Sequence, residues 1–358
     1  MSFAIGIVGL PNVGKSTLFK AITRKQIDIA NYPFCTIEPN VGIVSVPDTR
    51  IDTLQKLMQP SKVTPTIIEF VDIAGLVKGA NQGEGLGNQF LTNIREVDAI
   101  CQVIRIFKNE NVIHVEKNPD PKRDIETINT ELALKDIDTI TKRLDKVAKE
   151  SKSGDKDKIK ETEILQASLN ELNNGRALRD MPLATNDPAY KRLFAELGLL
   201  TAKPMIYAFN EDSVTKELNL PIDGLIEGEN YILLDAKLEN ELNDLTVDEI
   251  SQLGLASSSL DRLIKACYDV LNLITFFTGG KNVELKAWTI TKGTKASQAA
   301  GKIHSDIERG FIKAEIISFS DFEKTGSEAK SRDLGLMRQE GKEYVMIDGD
   351  IANFKFNV

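Results

Sequence analysis

Histidine, cysteine and long apolar runs are scarce in this chain of 358 residues, and each scarcity excludes a class of protein. Two histidines leave little room for a histidine-based metal site. The three cysteines, Cys35, Cys101 and Cys267, are odd in number and far apart, which fits a reducing cytoplasm and not a disulfide framework. No stretch approaches the roughly 20 apolar residues of a membrane span. The apolar N-terminus is too short for a signal peptide and lacks a basic start. We therefore expect a cytoplasmic protein without a membrane anchor.

The charge balance limits the partners. The chain has 45 basic and 53 acidic residues and a formal net charge of -8, which argues against DNA binding. A local basic patch that meets RNA stays open, with Lys292, Lys295 and Lys302 as one candidate and a solvated surface as the alternative.

Short β-branched runs separated by helical stretches indicate an α/β fold with a mostly parallel sheet. The expected strands are residues 3–9, 66–73, 99–106 and 204–209, and a helix over 14–22 follows the first strand. Residues 1–120 and 200–275 are therefore predicted to form one α/β domain.

Two further regions differ from this domain in the spacing of their apolar residues. Residues 121–199 carry apolar residues at helical spacing among charges, broken at 151–155 and ended at 173–175, which predicts an inserted antiparallel helical hairpin with coiled-coil character. Such a hairpin is either a spacer or an interaction arm. Residues 276–358 predict a small α+β domain with strands at 285–291, 314–318, 344–347 and 353–358.

A Walker A loop joins the first strand to the first helix. Gly9, Gly14, Lys15 and Ser16 have GxxxxGKS spacing, and the strand-loop-helix context separates a true P-loop from a chance match. Glycines let backbone N–H groups face the phosphates, the lysine neutralises charge, and the hydroxyl binds Mg²⁺. The predicted phosphate contacts are Asn12, Val13, Gly14, Lys15, Ser16 and Thr17.

A second motif, Asp72-Ile73-Ala74-Gly75, ends the strand at 66–73 and has the DxxG form. Asp72 is expected to hold Mg²⁺, and the Gly75 N–H to contact the γ-phosphate. Thr36 is the candidate switch threonine that ligates Mg²⁺ when the γ-phosphate is present.

The usual catalytic glutamine is absent, because Leu76 follows Gly75. Hydrolysis must rely on another polar group, a cation or a partner, and intrinsic turnover should be slow. Asn12 is a candidate for a K⁺ site beside the phosphates, and an ordinary loop residue is the alternative.

The base-reading element is also unusual. The strand at 204–209 ends in Asn210-Glu211-Asp212-Ser213 and not in Asn-Lys-x-Asp, so the carboxylate that selects guanine is missing from its place. A preference for ATP, or loose specificity, follows.

Together these residues resemble the YchF/Obg-like ATPase family, a branch of the translation-factor-related P-loop GTPases. The resemblance extends over essentially the whole chain. It lies in the P-loop, in Asn31 to Asn40, in Asp72 to Asn88, in Ala299 to His304 and in Phe354 to Val358.

The resemblance implies a G domain, a helical hairpin, a C-terminal TGS domain, hydrolysis of ATP with GTP as a further substrate, and association with ribosomes. His114 matches the family's mobile loop with a proposed catalytic histidine, where imidazole could position water. The family carries Asn-x-x-Glu at the base site, whereas Glu211 follows Asn210 at once. Either a two-residue shortening brings Glu211 to the family's Glu position, or Ser213 occupies it. Asn210 is expected to contact the base in both cases, and the backbone at Glu211 to make a second contact.

We therefore expect a monomeric, ribosome-associated ATPase that acts as a regulatory switch in translation or stress response, with Lys15 and His114 as catalytic residues. A small-molecule kinase and a non-hydrolysing nucleotide-binding module are the alternatives. Cys35, beside Thr36, is either a redox switch or a passive thiol.

Overall fold

A computed structural model describes residues 3–26, 40–73, 93–107, 119–150, 155–182, 187–212, 230–242, 244–245, 249 and 258–357. Its strands are β1 (Ala4–Val8), β2 (Val41–Ser45), β3 (Lys62–Thr64), β4 (Ile67–Asp72), β5 (Ala99–Arg105), β6 (Met205–Asn210), β7 (Tyr231–Leu234), β8 (Leu273–Thr278), β9 (Glu284–Thr291), β10 (Phe311–Ser318), β11 (Arg338–Glu340) and β12 (Asp350–Phe356). Its helices are α1 (Lys15–Arg24), α2 (Thr49–Met58), α3 (Pro121–Glu150), α4 (Lys156–Asn173), α5 (Pro188–Leu197), α6 (Ala236–Leu242), α7 (Ser259–Val270), α8 (Ala296–Ile303), α9 (Ser305–Arg309), α10 (Phe319–Thr325) and α11 (Glu328–Asp333).

The first sheet carries the order β2-β4-β1-β5-β6-β7. All its pairings are parallel except the antiparallel pair β2-β4, so the predicted mostly parallel sheet is confirmed. Its strands are apolar and buried because helices cover both faces of a parallel sheet. The carboxyl ends of β1, β4, β5 and β6 meet at one edge, where an α/β fold binds its ligands.

Two long helices follow the third predicted strand, as the apolar periodicity indicated. They pack on each other and on α5 through a cluster that includes Ile140, Ile164, Leu165 and Phe194. Asp155 caps the second helix by accepting a hydrogen bond from the Asp157 N–H at 2.9 Å. The second helix ends at the predicted stop, where Gly175 has φ of 73°. No helix in the described part of the chain is long and apolar enough to span a bilayer.

The second sheet has the order β11-β10-β12-β8-β9-β3. Five of its strands lie between Leu273 and Phe356, and its edge strand β3 comes from residues 62–64, far from the rest in sequence. One apolar cluster lies on each face of this sheet, and α2 contributes Leu54 and Met58 to one of them. The boundaries placed at 120, 199 and 275 stay predictions.

The prediction of a strand at Tyr344–Ile347 is wrong. This segment makes only an isolated bridge, between Lys295 and Val345. The buried Asp350 carboxylate accepts hydrogen bonds from the Tyr344 hydroxyl at 3.0 Å and the Ile347 N–H at 2.9 Å, which folds the segment back on itself. The apolar side chains of Val345 and Ile347 that suggested a strand are exposed.

Candidate nucleotide-binding site

The predicted P-loop connects β1 to α1 at the carboxyl edge of the first sheet. Asn12 and Gly14 have φ of 64° and 98°, in the left-handed region that a tight phosphate-binding turn requires. A Cβ on Gly9 would lie 2.9 Å from the Val103 carbonyl oxygen, so this position has no room for a side chain. Gly14 precedes α1 and offers no side chain to cap it. The N–H groups of the first helical turn are therefore suited to an anion.

Lys15 and Asp72 come from different motifs and contact each other. The Lys15 ammonium forms an ion pair with Oδ1 of Asp72, and both side chains are largely buried. Strands β1 and β4 are parallel neighbours with Ile7 opposite Asp72, so their ends present the two groups at one place. The structure thus brings the Walker A lysine and the DxxG aspartate into a single site.

The residues at this place suit Mg²⁺. Asp72 provides a carboxylate and Ser16, next to Lys15, an exposed hydroxyl. No group of three or more His, Cys, Asp or Glu side chains suited to a metal occurs in the parts of the chain described. Mg²⁺ does not need one, because it usually binds one or two protein oxygens and completes its octahedron with phosphate and water.

Asn210 lies at the end of β6 and is buried, with 4% of its surface exposed. Its Nδ2 donates to the Val13 carbonyl of the P-loop at 2.9 Å, and its Oδ1 accepts from the Ala236 N–H at 3.0 Å. A Cβ on Gly14 would overlap the same amide group. Asn210 therefore joins the P-loop to the segment after β7, and its role at a base stays a prediction.

The backbone of Glu211 is already partly engaged. Its N–H donates to the Leu234 carbonyl at 2.8 Å and extends the pairing of β6 with β7. A base contact through that N–H would need this hydrogen bond to open. The predicted contact at Glu211 is neither confirmed nor contradicted.

The turn from β7 into α6 was missed by the sequence reasoning. Asp235 starts the helix, with Oδ1 accepting from the N–H groups of Lys237 and Leu238, each at 2.9 Å. The neighbouring Ala236 is the residue that Asn210 holds. An aspartate after a short apolar strand is a helix N-cap signal and could have located this turn.

Five residues of interest lie outside the described part of the chain. They are the switch candidate Thr36, Gly75 and Leu76 of the DxxG region, the catalytic candidate His114, and Cys35. Their predicted roles stay predictions. The other two cysteines, Cys101 and Cys267, are buried and free.

A cleft of about 1320 Å³ lies at the opposite edge of the first sheet, between the amino ends of β5 and β6 and the long helices. Its basic side chains serve structural contacts: Lys203 donates to the Arg95 carbonyl at 3.0 Å, and Arg179 donates to Asn129 Oδ1 at 2.9 Å. In open α/β sheets ligands bind at the carboxyl ends of the strands, so this cleft is not the nucleotide site.

The parallel sheet, the P-loop and the Lys15–Asp72 pair define a nucleotide-binding protein of the P-loop GTPase class. Residues 4–150 match the 50S ribosome-binding GTPase family (MMR_HSR1). Residues 273–357 match the YchF-GTPase_C family, described as a protein of unknown function (DUF933).

Two curated relatives, each called ribosome-binding ATPase YchF, are 48% identical and align over 100% of both chains; they come from Escherichia coli O157:H7 and Bacillus subtilis strain 168. The solved structure of the Schizosaccharomyces pombe YchF GTPase is 39% identical, with a TM-score of 0.84 over 99% of this chain and 98% of that one. The chain belongs to the YchF family.

Proposed function

We propose that this protein binds Mg·ATP, hydrolyses it to ADP and phosphate, and acts as a ribosome-associated switch. The observation that carries the proposal is the ion pair between Lys15 and Asp72, because it joins the cation that we assign to phosphate and the carboxylate that we assign to Mg²⁺. The names of the curated relatives, ribosome-binding ATPase, support the nucleotide and the partner.

The chemistry follows from the P-loop. The backbone N–H groups from Asn12 to Thr17 and the Lys15 ammonium hold the β- and γ-phosphates and neutralise the charge that develops on them. Ser16, Asp72 and Thr36 would hold Mg²⁺, which would supply positive charge beside the phosphates. Lys15 leaves the Asp72 carboxylate when phosphates offer it a stronger partner.

The attacking water needs a polar group that Leu76 cannot supply. We assign the orientation of this water to His114. The Gly75 N–H would contact the γ-phosphate. A K⁺ ion near Asn12 would be a further source of positive charge. The missing glutamine predicts slow intrinsic turnover.

The base site favours ATP, with GTP as a weaker substrate. Asn210 and Glu211 stand where an Asn-Lys-x-Asp motif would read guanine, and no aspartate follows three residues on. Titration calorimetry with ATP and GTP side by side tests this assignment. We expect the lower dissociation constant for ATP, and tighter binding of GTP would refute it.

The regions outside the nucleotide-binding domain are assigned to contact with the ribosome. We propose that residues 121–199 form a coiled-coil arm and that 276–358 form a TGS domain, both reporting the nucleotide state to the ribosome. The protein is taken to act as a cytoplasmic monomer.

Phosphate release in the presence and absence of ribosomes tests hydrolysis. Lys15→Ala should abolish release because the transferred phosphate loses its cation. Lys20→Ala, on the exposed face of the same helix, is the matched control and should behave as wild type. A wild-type rate no higher than that of Lys15→Ala under both conditions would leave a nucleotide-binding module that does not hydrolyse.

A further inference from the structure

The chain between β2 and β4 leaves the first sheet and completes the second. From Val46 it runs through α2 and β3 and returns at Thr66, where the Val46 N–H donates to the Thr66 carbonyl at 3.0 Å. Residues 273–357 are called the C-terminal region below. Helix α2 buries Leu54 and Met58 against Phe277 and Phe322 of this region. This excursion of about 20 residues is therefore built into the core of the second sheet.

Backbone pairing fixes the excursion along the edge of that sheet. Strand β3 pairs in parallel with β9, with Lys62 opposite Glu284. The Ser61 N–H donates to the Val283 carbonyl at 3.2 Å, and the Thr64 hydroxyl donates to the Glu284 carboxylate at 2.5 Å. These contacts resist sliding because a register shift in a strand moves every side chain to the wrong face.

Arg50, in the first turn of α2, connects the beginning of this excursion to the C-terminal region. Its guanidinium donates to Asp48 at 2.7 Å and to Asp348 of the C-terminal region at 2.7 Å, and it lies 5.2 Å from the ring centre of Phe277. Asp348 also accepts from the Thr275 N–H at 2.8 Å, so it is tied to β8.

Partial burial opposes the charge of Arg50, but the hydrogen bonds from Arg50 to Asp48 and Asp348 outweigh burial and raise its pKa above the usual value. The two carboxylates thus hold a cation that stays charged. We call Arg50, Asp48 and Asp348 the clasp.

The antiparallel pair of β2 and β4, at one edge of the first sheet, leads from the clasp to Asp72 in the nucleotide site. At the far end the Asp72 N–H donates to the Asn40 carbonyl at 2.8 Å, next to the Val41–Val71 pair. At about 3.3 Å per residue, five paired residues span roughly 17 Å. This hydrogen-bonded strand pair is the continuous backbone connection between the clasp and Asp72 on which the proposal rests.

We propose that the clasp couples the C-terminal region to Mg²⁺-dependent nucleotide binding, with Arg50 as a positioning residue that acts through β2 and β4 on Asp72. The proposal rests on the proposed function, since it assigns Mg²⁺ to Asp72. By reciprocity, whatever displaces the C-terminal region changes the affinity for Mg·nucleotide, and Mg·nucleotide changes the C-terminal region.

Calorimetric titration with a non-hydrolysable ATP analogue, in Mg²⁺ and again in EDTA, tests the coupling. Arg50→Gln should weaken binding about five-fold or more in Mg²⁺ and less than about two-fold in EDTA, because the role assigned to Asp72 in the bound complex is to hold Mg²⁺. Asp348→Asn keeps an acceptor for Thr275 and removes the charge, and should act in the same direction. Arg309→Gln breaks an exposed ion pair with Asp306 within the C-terminal region and is the matched control.

The possible results separate the coupling from a structural role of the clasp. Affinity in Mg²⁺ that is unchanged or increased in both clasp variants overturns the proposal, and so does an equal loss in Mg²⁺ and EDTA, which a merely structural role would give. Failure of the wild type to bind the analogue refutes the proposed function instead. Thermal unfolding of both variants identifies one that does not fold, and the other variant then carries the test.

Hydrogen exchange supplies a readout that does not depend on affinity. Saturating Mg²⁺ and analogue should slow amide exchange in β3 and β9 of the wild type, and Arg50→Gln should lose this protection at the same occupancy. Bound wild type with unchanged exchange in both strands would overturn the coupling.

Discussion

Replacing Asn210 by alanine separates two roles of this side chain, support of the P-loop and contact with the base. The substitution removes the hydrogen bonds to the Val13 carbonyl and from the Ala236 N–H and leaves two buried backbone groups without them. An unsatisfied buried group costs about 1–3 kcal/mol, so for two groups we expect a loss of about 2–6 kcal/mol in the free energy of unfolding. If about 2 kcal/mol of this is needed to order the P-loop for phosphate, affinity falls about 30-fold.

Tripolyphosphate is the informative ligand because it has phosphates and no base. Calorimetry should show that Asn210→Ala weakens tripolyphosphate and ATP by similar factors. Asn174→Ala, at an exposed residue directly after helix α4, should leave both affinities at the wild-type value. Urea unfolding of the three proteins gives the stability difference in parallel.

A tripolyphosphate affinity unchanged by Asn210→Ala, with ATP alone weakened, would refute the support role and make the side chain a base contact only. A loss for both ligands that is much larger for ATP would assign it both roles, with the excess measuring the base contact.

Three further changes probe the site and the fold. Gly14→Ala puts a Cβ at φ of 98° against a buried amide and should abolish ATP binding in titration while costing about 2–5 kcal/mol of stability; retained affinity would contradict the geometry. Although partial burial raises the pKa of Glu161, the hydrogen bond from Arg143 at 2.6 Å outweighs it and lowers that pKa. This stabilisation is present above the usual glutamate pKa and is lost on acidification, so the deficit of Glu161→Gln in urea unfolding should shrink between about pH 6 and pH 3; a deficit that grows would be inconsistent with it. Leu165→Ala should cost about 2–5 kcal/mol in the same assay, against little change for the exposed neighbour in Gln166→Ala; equal effects would show that the hairpin core is not packed as described.

Elements with strong local signals were predictable. The strand at Ala4–Val8, the glycine turn and α1 carry a buried strand, a P-loop and helical spacing in one short segment, and all three are confirmed. The long helices α3 and α4 were equally predictable, because apolar periodicity over many turns and a clear Asn-Gly stop specify a helix without reference to the rest of the chain.

Short strands were not predictable in the same way. Strand β3 has three residues, and what makes it a strand is its pairing with β9, more than 200 residues away. The segment at Tyr344–Ile347 looked like a strand, but the buried carboxylate of Asp350 turns it. Such outcomes depend on distant partners that a local pattern does not reveal.

By itself, the sequence determined the P-loop, the parallel sheet around it and the family resemblance. Glycine, lysine and serine at this spacing, between a buried strand and a helix, are typical of a phosphate-binding loop. Tertiary structure alone decided that Lys15 meets Asp72, that Asn210 holds the P-loop to Ala236, and that the segment around Arg50 belongs to the C-terminal core. Each of these contacts joins residues at least 26 positions apart, and two of them join residues nearly 200 positions apart or more, so only the folded chain could place them together.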